Sequence, residues 1–242
     1  MLPLLAKSAG AGKPGRTLVE HTLDVADAFV ALFGTPNGPM PPQTERWVAF
    51  FKLDDAGAFL SNGLAAALFH DWGKANDGFQ GMLERQGRQL VRHEHLSAML
   101  LHLPVVRQWL SGSSGLDQDL ILAGVVTHHL QASHETIGKA MSELELPMHV
   151  QLAHPDFRQL VNEAAQRLGL TSCPLSGVPA LWSFEPQPGD FDMTAHLSSL
   201  KGRLSNFDDD LTDDTQRRRL LWAVRSALIA ADAAGSGSER RS

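Results

Sequence analysis

The chain has 242 residues, of which 43% are hydrophobic and 20% charged, a balance that suits one large globular domain or two small ones. Its single cysteine excludes a disulfide framework and a zinc–thiolate site, and it has neither an apolar run of transmembrane length nor a secretory signal at its start. The net charge of −6 argues against a sequence-independent duplex-binding protein. We therefore expect a cytoplasmic protein without a membrane segment, and its eleven histidines are the unusual feature.

The first predicted helix covers residues 17 to 32, where Thr17 and Glu20 have the spacing of a capping box. A period of about 3.6 residues puts His21 on the same face as Val25 and the other apolar residues. His21 is thus predicted to point toward the core. A Pro/Gly-rich stretch, GTPNGPMPPQ, separates this helix from the next.

The next predicted helix, SNGLAAALFH, covers residues 61 to 70, with Ser61 or Asn62 as its N-cap. Gly73 is expected to end it, because glycine readily adopts the left-handed conformation common at helix C-termini. The stretch LFHDWGKAND therefore holds an adjacent His-Asp pair where the chain changes direction.

Further helices are predicted at residues 93 to 103, 118 to 130 and 214 to 233. The Pro-rich segment 131–213 is predicted to be irregular. On the last helix Asp232 shares the apolar face, which is costly unless a partner neutralises the carboxylate. With no alternating strand pattern and no internal repeat, the predicted fold class is all-α.

Imidazole and carboxylate groups fall at inward or adjacent positions of these helices: His21, His70, Asp71, His93 (or His95), His128, His129 and Asp232. A single inward histidine is usually a core residue, but buried imidazoles each need a partner, and shared metal ions provide one. Neutral imidazoles with carboxylates suit manganese, iron, cobalt, nickel or zinc, whereas an all-oxygen shell favours magnesium or calcium. Because this set exceeds the needs of one ion, we predict a pair of divalent ions that activates water and clamps a phosphate ester.

The stretches LVEH, HDWGKANDGFQ, RHEHLSA, HH and ALIAADAAGS, in this order, resemble the HD nuclease of type I CRISPR interference. The likeness runs from residue 4 to residue 236, nearly the whole chain. The His-Asp pair alone indicates only the HD phosphohydrolase superfamily, and its extension to G-K-A-N-x-x-F-Q is more specific. The resemblance implies one HD-domain helical bundle over residues 1–242 with a central metal site, and 235–242 is expected to be a flexible tail.

The resemblance also implies roles for single residues. It assigns seven metal ligands, His21, His70, Asp71 and Asp232 for the first ion, with Asp71 bridging to a second ion held by His93, His128 and His129. The R-H-E motif of the family matches Arg92-His93-Glu94, which favours His93 over His95. Lys74 is expected to supply positive charge to the scissile phosphate, and magnesium stays an alternative to the transition metals. Asn76, Gln80 and Ser97 are expected to support the ligands or contact the substrate.

The implied activity is metal-dependent cleavage of single-stranded DNA, endonucleolytic and also from 3′ ends, in antiviral defence. The implied partners are a separate helicase subunit or domain and the RNA-guided CRISPR surveillance complex. No ATP site is expected, because SAGAGKPG lacks the first glycine of a P-loop. Two other hypotheses keep the same fold, namely a phosphohydrolase acting on a small nucleotide and a degenerate scaffold that only binds a partner.

The remaining features are predicted to be structural. The basic run Arg217–Arg219 and the acidic stretch FDDDLTDD are expected to be solvated, and Trp222, like the other tryptophans, is expected to be a core or interface anchor. His102 and His196 are among the histidines expected to lie at the surface or to support the fold.

Overall fold

The computed structural model describes residues 2–8, 15–84, 91–129, 147–173 and 175–237. Helices dominate this part of the chain, so the predicted all-α class is confirmed. They are α1 (Leu18–Phe33), α2 (Pro42–Phe51), α3 (Ala56–Phe69), α4 (Asp77–Leu83), α5 (His93–His102), α6 (Pro104–Leu110), α7 (Gln118–Val126), α8 (Pro155–Leu168), α9 (Met193–Asp213) and α10 (Thr215–Gly237). None of these described helices is long and apolar enough to cross a membrane.

The centre of the bundle is built by α1, α3, α7 and α10, which pack against one another. Helix α3 is apolar nearly all round, and most of its residues from Phe59 to Phe69 are buried. Helix α5 packs on α7 and on a single 3-10 turn, Trp72–Lys74, that follows α3. The end of α3 and this turn therefore lie inside the bundle rather than at its surface.

The described residues also form five short strands that were not predicted: β1 (Leu5–Lys7), β2 (Arg16–Thr17), β3 (Met148–His149), β4 (Leu181–Ser183) and β5 (Phe191–Asp192). Strands β1 and β2 pair antiparallel, and β4 pairs antiparallel with β3 and parallel with β5. Strands of two or three residues are too short to show an alternating pattern in the sequence.

The predicted first helix is confirmed, including its capping box. The Oγ1 atom of Thr17 accepts a hydrogen bond from the Glu20 backbone, and the Glu20 carboxylate accepts one from the Thr17 backbone. The predicted start of the second helix is wrong, because α3 begins five residues earlier with Asp55 as its N-cap. The carboxylate of Asp55 accepts from the backbone of Ala58, whereas Asn62, inside the helix, uses its amide to hold the loop before α7.

The segment predicted to be irregular contains two long helices, α8 and α9. Pro155 occupies the first turn of α8, where a missing N–H costs nothing, so this proline starts a helix instead of breaking one. Helix α10 continues to Gly237, past the predicted end at 233 and into the predicted tail. Residues 9–14 of SAGAGKPG, together with 130–146 and 238–242, lie outside the described residues.

Candidate metal centre

The structure brings the seven predicted ligand side chains together at the centre of the bundle. They come from five places, namely His21 on α1, His70 and Asp71 at the end of α3, His93 at the start of α5, His128 and His129 after α7, and Asp232 on α10. These side chains divide into two groups of possible ligands that meet at the carboxylate of Asp71.

Asp71 lies between the two groups and directs one oxygen toward each. Its Oδ2 atom is 3.0 Å from Nε2 of His21 and 3.2 Å from Nε2 of His70, while Oδ1 is 3.3 Å from Nε2 of His93. Burial alone would raise the pKa of Asp71, but the charges of His70 and Lys74 and a hydrogen bond from His21 outweigh it and hold this pKa well below its usual range. The carboxylate is therefore ionised at neutral pH, as a metal ligand must be.

The first group consists of His21, His70 and Asp232, whose ligand atoms lie within 4.8 Å of one another. Nδ1 of His70 is 2.8 Å from the carbonyl oxygen of Ala67, a contact that requires the proton on Nδ1. In the neutral ring, Nε2 of His70 therefore carries the lone pair and faces the centre, in the tautomer that a metal ligand needs. Ser236 donates a hydrogen bond to Oδ1 of Asp232 and helps to orient that carboxylate.

The second group consists of His93, His128 and His129, also within 4.8 Å of one another. Nδ1 of His128 is 2.6 Å from the carbonyl oxygen of Val125, so its Nε2 lone pair likewise faces the centre. Nε2 of His93 and Nε2 of His129 are 2.9 Å apart. Burial lowers the pKa of His128 to about 3, with the neighbouring His70 and His129 acting in the same direction.

The pKa values of the other imidazoles follow from burial and from Asp71. Burial lowers the pKa of His21 and holds that of His93 well below its usual range, although Asp71 opposes both shifts. For His70 the opposing effect of Asp71, with a contribution from Asp232, exceeds that of burial and raises the pKa. His21, His93 and His128 are therefore neutral at neutral pH, with lone pairs available to bind a cation.

The buried polar atoms of this centre fit metal ions. Acceptor atoms buried without a well-formed hydrogen bond include Nε2 of His70, Nε2 of His128 and Oδ1 of Asp71. So many orphaned acceptors in one place would be costly, whereas divalent cations would satisfy them together. Each of the two groups could hold one ion.

Lys74 reaches the same carboxylate from the 3-10 turn. Its ammonium Nζ is 2.6 Å from Oδ2 of Asp71 and lies 5.5 Å from the ring centroid of Phe79, and the side chain is only 10% exposed. The lysine thus contributes a positive charge inside the centre instead of closing a helix at the surface.

Ser97 and Gly73 connect the turn to α5. Oγ of Ser97 donates to the carbonyl oxygen of His70 at 2.7 Å and accepts from the backbone N–H of Gly73 at 2.8 Å. The prediction of a left-handed Gly73 is wrong, because the positive-φ glycines among the described residues are others. Glycine is needed for close approach, since a Cβ here would collide with the carbonyl oxygen of His93 and the backbone nitrogen of Ser97.

Asn76 and Gln80 contact the backbone around the centre. Asn76 donates to the carbonyl oxygen of Gly73 at 2.6 Å and caps α4 through Oδ1. The amide of Gln80 donates to the carbonyl oxygens of Lys74 and Leu5 and accepts from the backbone of Leu5, which joins β1 to the turn. Both side chains therefore hold the turn in shape.

His93 and His95 differ in their contact with the metal centre, and Glu94 is a further residue of this site. His93 contacts Asp71, whereas His95 is fully buried with neither ring nitrogen hydrogen-bonded, and burial lowers its pKa to about 4. Glu94 was not predicted as a site residue, yet its buried carboxylate lies 3.4 Å from Nδ1 of His93 and pairs with Arg92. The R-H-E motif carried this signal, because a carboxylate next to a ligating histidine commonly orients the ring.

An adjacent His-Asp pair inside a helical bundle, surrounded by imidazoles and a second carboxylate, defines an HD-domain protein. The chain belongs to the Cas3 HD-domain family, whose model, "Cas3, HD domain", matches residues 5–240. It is also 31% identical over 181 residues to a CRISPR-associated nuclease/helicase, Cas3, of Myxococcus xanthus (strain DK1622). That match covers 73% of this chain and 24% of the relative, so the chain spans about a quarter of the relative's length. No solved structure matches it significantly.

Proposed function

We propose that this protein is a metal-dependent deoxyribonuclease that hydrolyses phosphodiester bonds of single-stranded DNA, within the strand and also from 3′ ends. The observation that carries the proposal is the pair of possible metal-binding groups on either side of Asp71, whose two oxygens face different groups. Membership in the Cas3 HD-domain family supports nuclease chemistry at such a centre.

In this proposal His21, His70, Asp71 and Asp232 hold one divalent ion, and Asp71, His93, His128 and His129 hold the other. Manganese, iron, cobalt and nickel suit this mixture of imidazole and carboxylate, and magnesium is the oxygen-preferring alternative. When bound, the ions would supply Lewis-acid polarisation of the phosphate and lower the pKa of an attacking water.

The chain's own residues orient the ligand side chains and supply positive charge beside them. The backbone carbonyls of Ala67 and Val125 fix the tautomers of His70 and His128, so that both Nε2 lone pairs point inward. The ammonium of Lys74 contacts Asp71 and is therefore close to a phosphate bound by the ions that Asp71 would hold. We propose that Lys74 stabilises the negative charge that develops on the phosphoryl oxygens. Burial of the centre strengthens this electrostatic effect.

We propose that the enzyme acts in type I CRISPR interference, with a helicase and the RNA-guided surveillance complex as its partners. Support comes from the printed name of the Myxococcus relative, a CRISPR-associated nuclease/helicase that is about four times as long as the matched part. A nuclease needs a single strand delivered to it when it cannot unwind a duplex, and a helicase supplies such a strand.

The direct test offers three substrate classes to the same preparation. The purified chain is loaded with manganese, cobalt or nickel and incubated with circular single-stranded DNA, with duplex DNA and with a panel of small nucleotides. We expect cleavage of the circle, which has no ends, and little cleavage of the duplex. Turnover of a nucleotide with the circular DNA left intact would instead favour a small-nucleotide phosphohydrolase.

The site is tested with Asp71→Ala in the same assay. We expect loss of both bound metal, measured by elemental analysis, and DNA cleavage, because this carboxylate faces both groups. His102→Gln is a matched control, since this histidine is buried elsewhere and contacts Ser199 on α9. Normal cutting by Asp71→Ala would refute the proposed site.

A further inference from the structure

One face of α10 connects solvent to the metal centre. Arg218, Trp222, Arg225, Ile229 and Asp232 are spaced by four, three, four and three residues, so at about 100° per residue they form a single stripe along the helix. At about 1.5 Å per residue this stripe is roughly 21 Å long. It begins at an exposed arginine and ends at a carboxylate of the first ligand group.

The stripe is accessible along its length. Trp222, predicted to be a core or interface anchor, is 51% exposed and so does not lie in the core, while its neighbours Ala223 and Val224 hold α10 to the core. The side chain of Asp232 is 29% exposed, against 2% for His21 and Asp71 beside it. The centre therefore opens toward this face of α10.

Arg225 holds the stripe against the second ligand group. Its Nε atom donates to the carbonyl oxygen of Thr127 at 2.6 Å, and Thr127 directly precedes His128. Its guanidinium also lies over the ring of Trp222, 5.5 Å from the centroid. Among the contacts of the described residues, neither terminal nitrogen of Arg225 has a hydrogen-bond or ion-pair partner. Both terminal NH2 groups therefore remain to bind an anion next to the centre.

We propose that this stripe is a binding track that guides a single nucleic-acid strand into the metal centre. Trp222 stacks on a base two or more nucleotides from the scissile bond, and Arg218 and Arg225 contact the phosphates on either side of it. An exposed aromatic ring between two cations suits a strand of stacked bases and regular negative charges. The inference rests on the proposed nuclease function, which it deepens by locating where the strand lies.

The test measures binding by the metal-free chain. Fluorescence anisotropy is recorded in EDTA with a labelled oligothymidylate of about 12 nucleotides. We expect Trp222→Ala to weaken binding about 5- to 150-fold, because stacking on one base has that effect, and Trp222→Phe to retain most of the affinity. Trp222 fluorescence should also be quenched by the oligonucleotide, since the other described tryptophans are buried or half-buried.

A second binding experiment compares two neighbouring arginines of α10. Arg218→Ala removes a charge on the stripe, and Arg219→Ala removes the same charge about 100° away around the helix. We expect Arg218→Ala to reduce the slope of log affinity against log salt by about 0.7, the value for one phosphate of a single strand. Equal effects of the two variants, or unchanged affinity in Trp222→Ala, would overturn the track.

A second substrate separates this inference from the proposed function. With manganese added, Trp222→Ala should lose far more kcat/KM toward the oligonucleotide than toward bis(p-nitrophenyl) phosphate, which is too small to span the track. If the wild-type chain hydrolysed neither substrate, the nuclease proposal would fail. The anisotropy measurements would still show whether the stripe on α10 binds the oligonucleotide. If Trp222→Ala lost the same proportion of kcat/KM toward both substrates, the residue would support the centre itself and the proposed track would be wrong.

Discussion

The Nε2 atoms of His93 and His129 lie 2.9 Å apart, although His93 begins α5 and His129 follows α7. At most one proton can lie between these nitrogens, so they share one hydrogen bond when no cation is present. A divalent ion would use both lone pairs at once. The close pair therefore indicates a cation site more strongly than either histidine does alone.

Removing a ligand from one group should release one ion and leave the other. His129→Ala is expected to reduce bound manganese from two equivalents to one, because His129 belongs only to the second group. Asp232→Asn should do the same through the first group. Metal content after equilibrium dialysis is the measurement. If either single variant lost both ions, the two groups would not be separable sites.

Replacing Lys74 should slow the chemistry while the metal stays bound. Lys74→Ala is expected to lower kcat toward single-stranded DNA about 10²-fold, because an aimed positive charge is lost where negative charge develops. Lys74→Arg should recover part of the rate. Metal content and activity are measured on the same samples. A parallel loss of metal in Lys74→Ala would show that the lysine supports the ligands instead of the reaction.

Gly73→Ala should destabilise the fold strongly, because the added Cβ would collide with the backbone of α5 at His93 and Ser97. We expect a loss of about 3 kcal/mol or more in the free energy of unfolding, measured by urea denaturation in EDTA. Gly202→Ala on α9 is the matched control, where nothing lies within 4 Å of the new Cβ. There the same substitution should stabilise the helix by about 0.5–1 kcal/mol. Similar values for the two variants would refute close approach at Gly73.

Parts of this molecule were predictable because they depend on neighbouring residues. The capping box of Thr17 and Glu20 is such a local feature, and the start of α5 at His93 was also predicted. The convergence of the predicted ligand side chains followed from the cost of burying several imidazoles without partners. Those residues were informative because their chemistry is rare in a core.

Other parts depend on packing between distant segments and could not be predicted. Pro155 lies in the Pro-rich segment predicted to be irregular, and only its place in the first turn of α8 makes it compatible with a helix. The requirement for Gly73 comes from α5, twenty residues further along the chain, and the burial of Glu94 comes from the same packing. The exposure of Trp222 depends on which face of α10 meets the core.

Ser97→Ala should weaken metal binding without removing any ligand. The serine hydroxyl bonds the carbonyl of His70 and the N–H of Gly73, so its loss frees the backbone that carries His70 and Asp71. Comparable support groups contribute about 10- to 100-fold to metal affinity. Isothermal titration with manganese measures the change, and Ser111→Ala, an exposed serine after α6, is the control. Unchanged affinity in Ser97→Ala would mean that α5 packing alone holds the turn.

His102 is buried outside the metal centre. Its Nε2 atom is 3.0 Å from Oγ of Ser199, and its Nδ1 faces the guanidinium of Arg203. Burial lowers the pKa of His102 from 6.5 to about 3, and the nearby His196, Arg203 and Arg107 add to this effect. The unfolded chain therefore binds a proton at this histidine between these two pH values, and the folded chain does not.

The stability that depends on neutral His102 is fully present above pH 6.5 and is lost as the pH falls toward 3. One such proton lowers the free energy of unfolding by at most about 1.4 kcal/mol per pH unit. His102→Gln cannot titrate, so its stability should fall less steeply than that of the wild type between pH 6.5 and 5. Urea denaturation in EDTA at several pH values gives both slopes, and the buried histidines of the metal centre, which lie away from His102, contribute equally to each. Identical slopes would mean that the fold accepts a proton on His102 beside Arg203.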